Sequence, residues 1–85
     1  MARYRVEINK KARKSLDKLS DFVVAPVLSA INDLADNPRP QGYRKLKGRK
    51  GYRIRVGDYR VIYEIFDDIL LIDVIDLGHR KEIYD

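Results

Sequence analysis

The chain has 85 residues, of which 18 are Lys or Arg and 13 are Asp or Glu, and its formal net charge is +5. This length accommodates one domain with one small hydrophobic core, so we expect a single domain over residues 1–85. The absence of cysteine and the presence of only one histidine exclude disulfide scaffolds, cysteine nucleophiles, cysteine-ligated metals and multi-histidine metal sites. No signal-peptide pattern and no apolar run of membrane-spanning length occurs, so a cytoplasmic protein is expected.

The first predicted elements are a strand and a short helix. Residues 3–8 alternate between apolar and charged side chains, which is the pattern of a strand with one buried face. Asn9 is suited to cap the next helix, because its side-chain oxygen can accept a hydrogen bond from the first turn. The buried face of that helix is predicted from apolar spacings of four and three residues at Ala12, Leu16 and Leu19.

A second helix is predicted to begin after the break at Ser20 and Asp21. Its apolar stripe is expected to be Val24, Leu28, Ile31, Leu34 and Ala35. Pro26 has no backbone N–H to donate, so we expect it in the first turn or at a kink. The Asn-Pro-Arg-Pro segment at residues 37–40 ends the helix. With almost no linker between them, the two helices should form a hairpin that packs on a sheet.

The second half of the chain predicts short strands joined by tight turns. Residues 43–47 are compatible with a short extra strand, and residues 52–56 and 59–66 form a hairpin whose two-residue turn begins with glycine, as in type II′. A tight turn at 67–68 and an apolar strand over 69–77, ended by Gly78, follow. The order β-α-α-β-β-β predicts an α+β fold, with a small antiparallel-rich sheet and the helical hairpin packed on one face.

Charge is segregated along the sequence. Residues 39–60 contain nine basic side chains and one acid, whereas residues 61–78 contain five acids and no base. Such a basic block suggests a polyanionic partner, and nucleic acid is the commonest one. The alternative is a solvated basic face that keeps the protein soluble.

The predicted hairpin determines which side chains share a face. A two-residue loop places Arg55 opposite Arg60, and the alternation of side chains puts Arg53 on the same face as both. An opposed pair of like charges destabilises a hairpin, whereas convergent guanidiniums are suited to bind a phosphodiester. The alternative is a structural ion network in which Glu64 and Asp73 neutralise the arginines.

Three more candidates follow the last predicted strand. His79 is either a base active near neutral pH or a solvent-facing turn residue. Arg80 can join the arginine cluster, and Tyr84 can stack on a base, accept a proton or serve as a packing aromatic. No phosphate-binding loop of the G-x-x-x-x-G-K-[ST] type and no G-x-S-x-G elbow occurs.

Taken in series, these motifs resemble the RelE branch of the RelE/ParE toxin superfamily. The resemblance covers nearly the whole chain and is carried by Asn-Pro-Arg-Pro at 37–40, Lys-Leu-Lys-Gly at 45–48, Tyr-Arg-Ile-Arg at 52–55, Asp-Tyr-Arg-Val-Ile-Tyr at 58–63 and Gly-His-Arg-Lys-Glu-Ile-Tyr at 78–84. It implies the toxin of a type II toxin–antitoxin pair, which cleaves mRNA in the ribosomal A site through attack of the 2′-OH and leaves a 2′,3′-cyclic phosphate. Two alternatives stay open: a ParE-like inhibitor of DNA gyrase and a non-catalytic module that binds RNA or the ribosome.

The resemblance also implies roles for individual residues. Arg60 would grip the scissile phosphate, Arg53 and Arg55 would stabilise its developing charge, Arg80 would assist the leaving 5′ oxygen, and Tyr84 would orient or deprotonate the 2′-OH. No residue is an obvious strong base, so the ribosome would supply much of the positioning. Contacts with ribosomal RNA would come from Lys10, Lys14, Lys18, Arg44, Lys45, Lys47, Arg49 and Lys50.

The resemblance finally implies the partners of the protein. These are an acidic antitoxin, the ribosome and its mRNA, with operator DNA reached only through the antitoxin. No membrane, metal or cofactor is expected. The antitoxin would fold onto the basic surface, and the apolar run over residues 22–28 is a further candidate contact for it.

Overall fold

A five-stranded mixed sheet and two helices make up residues 3–81, the part of the chain that this computed structural model describes. The elements are β1 (Arg5–Ile8), α1 (Lys10–Asp17), α2 (Asp21–Asp33), β2 (Arg44–Lys45), β3 (Tyr52–Val56), β4 (Tyr59–Phe66) and β5 (Leu71–His79). The strand order is β1-β5-β4-β3-β2. β1 runs parallel to β5 and all other pairs are antiparallel, so the predicted α+β fold with a short extra strand is confirmed. Neither of the described helices is long and apolar enough to cross a membrane.

The main hydrophobic core lies between the helices and one face of the sheet. Its buried members are Ala12, Leu16, Val27, Ile31, Leu34, Ile54, Val61, Tyr63, Ile72, Val74 and Leu77. The cap of α1 forms as predicted, since the Asn9 side chain accepts a hydrogen bond from the backbone N–H of Ala12 at 2.9 Å. A second, smaller cluster of Leu46 and Ile62 packs with Ile75. Residues that alternate with the main core therefore project from the sheet face that the helices leave open.

The buried stripe of α2 differs from the predicted one. Ile31, Leu34 and Ala35 are buried as expected, but Leu28 is 43% exposed and Val27 is buried in its place. Residues 27, 31 and 34 have helical spacing just as residues 24, 28, 31 and 35 do, so periodicity alone did not decide between them. Pro26 lies in the second turn rather than the first, where it removes the hydrogen bond that would reach the carbonyl of residue 22.

The last strand is shifted toward the C-terminus relative to the prediction. The turn occupies residues 67–70, with Leu70 at φ +52°, and β5 begins at Leu71 and continues through Gly78 to His79. A β-bulge interrupts the pairing of β4 with β5 next to Ile62. The bulge lets Val74 and Leu77 both reach the core, although an odd spacing in a regular strand would put them on opposite faces.

Gly51 closes the turn that connects β2 to β3. It is buried at φ +117°, and a Cβ built there would lie 3.1 Å from the carbonyl oxygen of Tyr63. We expect Gly51→Ala to lower the free energy of unfolding by about 2 kcal/mol or more, because backbone strain and a backbone contact act together. Urea denaturation measures this loss. Gly48→Ala is the matched control, since Gly48 has φ +69° but open space around its Cα; equal losses for both variants would contradict the packing argument.

An ionic hydrogen-bond network ties the segment after α2 to the β4–β5 turn. The hydroxyl of Tyr4 donates to Asp67 Oδ1, and Arg39 Nη2 donates to Asp67 Oδ2 at 2.9 Å. The hydrogen bond from Arg39, and then that from Tyr4, lowers the pKa of Asp67. A carboxyl whose pKa falls on folding contributes stability above its unfolded pKa of about 3.9, and that contribution is lost as the pH falls further.

We therefore expect Asp67→Asn to be less stable than the wild type at pH 7 and equally stable well below pH 4. Urea unfolding at a series of pH values measures the difference. Asp68→Asn removes the same charge from the same exposed turn and serves as the control. A constant difference between wild type and Asp67→Asn across this pH range would show that the carboxylate contributes through something other than its charge.

Candidate functional site

A shallow cavity of about 110 Å³ lies at the turn end of the β3–β4 hairpin. It brings together three of the arginines that the sequence singled out. The residues that line it are Arg55, Gly57, Asp58, Tyr59, Arg60 and Arg80. We call this the arginine cavity. Arg55 and Arg80 are exposed and Arg60 is half-buried, so the cavity is open to solvent and rich in guanidinium groups.

The hairpin turn positions these arginines as predicted. Arg55 pairs directly with Arg60, and Gly57 has φ +60° while Asp58 keeps a negative φ, which corresponds to a type II′ turn. On the other side of β4, Gly78 lies opposite Arg60 and adds no side chain to this face. Backbone pairing therefore holds two like charges side by side on a rigid ribbon, although their repulsion opposes it.

Arg80 reaches the cavity from the end of β5. Its backbone N–H donates to the carbonyl oxygen of Asp58 at 2.7 Å, and its Nε lies 3.8 Å from Asp58 Oδ1. Both side chains are more than half exposed, so the ion pair itself is weak. The backbone bond fixes the chain beyond β5 against the hairpin turn. Among the described residues that line the cavity, three are arginines and one is an aspartate, and this excess of positive charge suits an anionic ligand.

Arg53 lies one row further along the same face of the sheet. It pairs with Arg44 on β2 and with Ile62 on β4, and it is 4% exposed. The structure thus places Arg53 beside the arginine cavity rather than in its lining. The buried guanidinium of Arg53 adds a positive charge on the same sheet face, two residues along β3 from the Arg55–Arg60 pair.

Asp73 is not the counter-ion that a structural ion network would require. It pairs across the sheet with Glu64 on one side and with Glu7 on the other. Burial first, and then the charge of Glu7, raises the pKa of Asp73. An arginine partner would lower that pKa, so Asp73 sits in anionic surroundings and does not neutralise the arginines.

His79 lies on the other side of Tyr59 from the arginines. It is a half-buried residue of β5 and not the solvent-facing turn residue of the alternative interpretation. Its ring contacts Tyr59 edge to face at 5.4 Å between centroids, and its Nδ1 accepts a hydrogen bond from the backbone N–H of Lys81 at 3.2 Å. A cavity of about 250 Å³, here called the His79 cavity, lies beside this ring and is lined by His79, Tyr59 and Lys18 among others. Tyr84, the other candidate base, lies outside the described residues.

The remaining basic candidates form two exposed surfaces. Lys10, Lys14 and Lys18 recur every fourth residue along α1 and at its C-cap. At the far end of β3, Lys45, Arg49 and Lys50 line a cavity of about 360 Å³ together with Tyr52. The exposed residues of this second surface are Arg44, Lys45, Lys47, Arg49 and Lys50. Such surfaces can hold a polyanion but contain no arrangement that reacts with it.

Two residues of the arginine cavity were not singled out from the sequence. Asp58 anchors Arg80, and Tyr59 lines the arginine cavity and the His79 cavity at once. The Gly-Asp turn placed Asp58 at the hairpin tip, but nothing in the sequence indicated its hydrogen bond to Arg80. Tyr59 alternates with the core residues Val61 and Tyr63, so the sequence pattern indicated a core residue and gave no sign that Tyr59 also lines two cavities. Among residues 3–81, no three His, Asp or Glu side chains are grouped as metal ligands.

Similarity to known proteins covers nearly the whole chain. The family model described as "ParE toxin of type II toxin-antitoxin system, parDE" matches residues 6–84. Toxin RelG of Mycobacterium tuberculosis is 33% identical over 85 residues, which cover 95% of each chain. The toxin–antitoxin complex RelBE2 of the same organism contains a similar chain with a TM-score of 0.79 and 30% identity, covering 92% of this chain and 99% of that one.

An archaeal relative extends the same similarity. The RelE–RelB complex of Pyrococcus horikoshii contains a chain with a TM-score of 0.82 and 32% identity, which covers 98% of this chain and all of that one. The family match, the sequence relatives and the similar solved structures agree over nearly the whole length. The chain therefore belongs to the RelE/ParE superfamily of type II toxin–antitoxin toxins.

Proposed function

We propose that this protein is a ribosome-dependent endoribonuclease that cleaves mRNA and thereby stops translation in the cytoplasm. The observation that carries the proposal is the convergence of Arg55, Arg60 and Arg80 on one small cavity. Guanidiniums are permanently charged and planar, so they can hold a phosphodiester by paired hydrogen bonds. Membership in the RelE/ParE superfamily, with relatives named toxin RelG and putative toxin RelE1, is consistent with this function.

The proposed reaction is an internal transesterification. The 2′ oxygen attacks the adjacent phosphorus, the bond from phosphorus to the 5′ oxygen breaks, and the products are a 2′,3′-cyclic phosphate and a 5′-OH. The proton leaves the 2′-OH for a base, and another proton reaches the departing 5′ oxygen. Charge grows on the phosphoryl oxygens in the transition state, so fixed cations accelerate the step.

We assign each arginine a role in this reaction from its position in the structure. Arg60, half-buried and held by the sheet, would grip the scissile phosphate. Arg55 and the buried Arg53 would stabilise the developing charge, and Arg80 would assist the leaving 5′ oxygen from its place beside Asp58. Tyr84 is the proposed residue that orients or deprotonates the 2′-OH. His79 is the alternative base, and for that role the RNA would have to pass Tyr59.

A site without a strong base depends on positioning. Orientation of the reacting groups is worth several orders of magnitude in rate, and a ribosome that holds the message in one conformation supplies it. The α1 lysines and the basic surface at the far end of β3 would then contact ribosomal RNA. The basic surface at the far end of β3 shares no lining residue with the arginine cavity, whereas Lys18 lines the neighbouring His79 cavity.

The proposed protein partner is an acidic antitoxin. The structures of the similar chains from M. tuberculosis and P. horikoshii are of complexes with a RelB antitoxin. An acidic segment would be attracted to the arginine cavity by charge. Contact with operator DNA would be made through that antitoxin.

Primer extension on a message translated in vitro tests the proposed cleavage. We expect new 5′ ends only when ribosomes, message and toxin are all present, and none with naked message. Arg60→Ala should abolish them. Intact message with normal translation would refute the proposal, and cleavage of naked message would place the full catalytic machinery in the protein itself.

Inhibition of DNA gyrase is the second candidate, because the matching family model is that of the ParE toxin. The arginine cavity has no evident task in that function. A supercoiling assay with purified gyrase distinguishes the two: we expect gyrase to remain active at toxin concentrations that stop translation. Inhibited gyrase together with intact message would establish the ParE-like function.

A further inference from the structure

Tyr59 stands at the junction of three cavities. It lines the arginine cavity, the His79 cavity and a third one of about 330 Å³ on the side of α2. The third cavity, here called the Phe22 cavity, is lined by Phe22, Val23, Pro26, Val56, Gly57, Asp58 and Tyr59. Because it shares the hairpin tip with the arginine cavity, a ligand held by the arginines can continue into it.

Phe22 is the most exposed large apolar side chain of the described residues. It lies in the first turn of α2 and is 94% exposed. Burial of a phenylalanine side chain stabilises a fold, and Phe22 contributes almost nothing of this kind here. Tyr59, by contrast, is held by the edge-to-face contact with His79. The Phe22 cavity therefore contains two aromatic rings, that of Tyr59, which packs against His79, and that of Phe22, which is exposed to solvent.

The Phe22 cavity is lined mainly by apolar and aromatic residues and by one acid, Asp58, and the cations that favour RNA as its occupant lie in the two neighbouring cavities. Beyond the hairpin tip lie Arg55, Arg60 and Arg80, and on the other side of Tyr59 lies the cavity that contains Lys18. Exposed aromatics between cationic grooves are the usual arrangement for single-stranded nucleic acid, because bases stack while phosphates follow the cations. A volume of about 330 Å³ is at the lower end of small-ligand pockets and admits a base.

We propose that Phe22 and Tyr59 form a stacking site for one unpaired base of the RNA strand whose phosphate lies in the arginine cavity. The inference rests on the proposed function, because it takes the strand in that cavity to be RNA. Stacking is tolerant of base identity, so the site positions the strand rather than reading its sequence. It would hold the nucleotide next to the scissile bond without contributing a reacting group.

A short RNA that cannot be cleaved after its central nucleotide tests the stacking site. The probe is a fluorescein-labelled pentaribonucleotide with a single 2′-deoxy substitution at its central nucleotide, paired with the same oligonucleotide carrying one abasic position beside it. Binding is followed by anisotropy at low salt. We expect Phe22→Leu to weaken binding of the complete oligonucleotide about 10-fold and to leave binding of the abasic one unchanged. Leu28→Ala, which removes an exposed apolar side chain from the same helix outside the cavity, should change neither affinity.

Fluorine NMR reports on the ring itself. The chain has two phenylalanines, Phe22 and Phe66, so 4-fluorophenylalanine gives two signals, which Phe22→Leu assigns. We expect the Phe22 signal to shift on addition of the complete oligonucleotide and to stay unchanged on addition of the abasic one. An unmoved Phe22 signal, with or without RNA binding, overturns the stacking site and leaves a protein contact as the role of this ring.

The outcome is separable from that of the proposed function. Cleavage of ribosome-bound message by a protein whose Phe22 does not respond to RNA would refute only the stacking site. A responsive Phe22 in a protein that leaves all message intact would refute the cleavage and retain an RNA-binding site.

Discussion

Arg55→Thr is expected to lower the rate of mRNA cleavage about 100- to 1000-fold without weakening the fold. The side chain lines the arginine cavity, is exposed and lies directly opposite Arg60. Removal of one preorganised donor that stabilises transition-state charge has an effect of this size in other enzymes. Removal of one member of an opposed like-charge pair, with threonine as a good strand former, should instead raise the free energy of unfolding by about a few tenths of a kcal/mol.

Loss of cleavage without loss of stability in Arg55→Thr would show that Arg55 acts in the reaction and not in the fold. Cleavage rates come from timed primer extension at saturating ribosomes, and stability comes from urea denaturation. Arg5→Thr is the matched control, because it removes an arginine from an exposed position on β1, away from the cavity. We expect its cleavage rate to stay within about threefold of the wild type, since only the net charge changes. A comparable loss in both variants would mean that Arg55 acts through long-range attraction alone.

Arg60→Lys separates charge from geometry at the neighbouring position. Lysine keeps the positive charge but lacks the planar fork that holds two phosphate oxygens. We expect a cleavage rate between those of the wild type and Arg60→Ala. A rate equal to that of the wild type would show that Arg60 attracts the phosphate without orienting it.

The hairpin illustrates how much of the site follows from local rules. A glycine-first two-residue turn determines the register, and that register by itself places Arg53, Arg55 and Arg60 on one face. The burial of Arg53 does not follow from local rules. Arg53 also pairs with Arg44 on β2 and projects from the sheet face on which Leu46, Ile62 and Ile75 cluster, and the hairpin pattern alone indicates neither neighbour.

The sequence predictions of the buried residues of α2 and of the bounds of β5 were wrong where tertiary packing selects one of several patterns that fit the sequence equally well. Val27 and Leu28 both belong to helical stripes that include Ile31, and contact with the sheet selected Val27. The four-residue turn moved the start of β5 to Leu71, and the bulge brought Leu77 into the core beside Val74. A bulge adds one residue to one strand, and no periodicity in a single strand signals it.

The parallel pairing of β1 with β5 also depends on the whole chain. Sequence alone indicated an antiparallel-rich sheet, and in the structure the final strand lies between β1 at the edge and β4. The antiparallel pairing of β5 with β4 puts His79 opposite Tyr59 and brings Arg80 to Asp58, so the arginine cavity contains a residue from the end of β5 as well as residues of the preceding hairpin. The strand order therefore assembles the site, although the arginines that give it its charge could be identified from the sequence.

Tyr63→Ala is expected to have the largest effect on stability. The side chain is fully buried in the main core, and its hydroxyl donates to the carbonyl oxygen of Pro38 at 2.7 Å. It joins the segment that follows α2 to the centre of the sheet. Truncation of a buried aromatic residue costs about 3–5 kcal/mol, and the orphaned carbonyl adds to this. Small domains have roughly 5–15 kcal/mol in all, so little stability would remain.

Tyr63→Phe isolates the hydroxyl from the ring. It should cost about 1–3 kcal/mol in urea denaturation at pH 7, because the buried Pro38 carbonyl loses its donor while the packing is kept. Tyr43→Phe, at a position that is 37% exposed, should cost less than about 0.5 kcal/mol. Equal losses for the two variants would mean that water replaces the Tyr63 hydroxyl without penalty.

The same hydroxyl gives the fold a dependence on alkaline pH. Burial is the largest cause that raises the pKa of Tyr63. A group whose pKa is higher in the folded state stabilises the fold below its unfolded pKa, about 10 for tyrosine, and loses that contribution as the pH rises toward its folded pKa. The wild type should therefore lose stability above about pH 10 more steeply than Tyr63→Phe does, and the two unfolding free energies should converge. Parallel curves up to about pH 11 would place the alkaline sensitivity of the fold elsewhere.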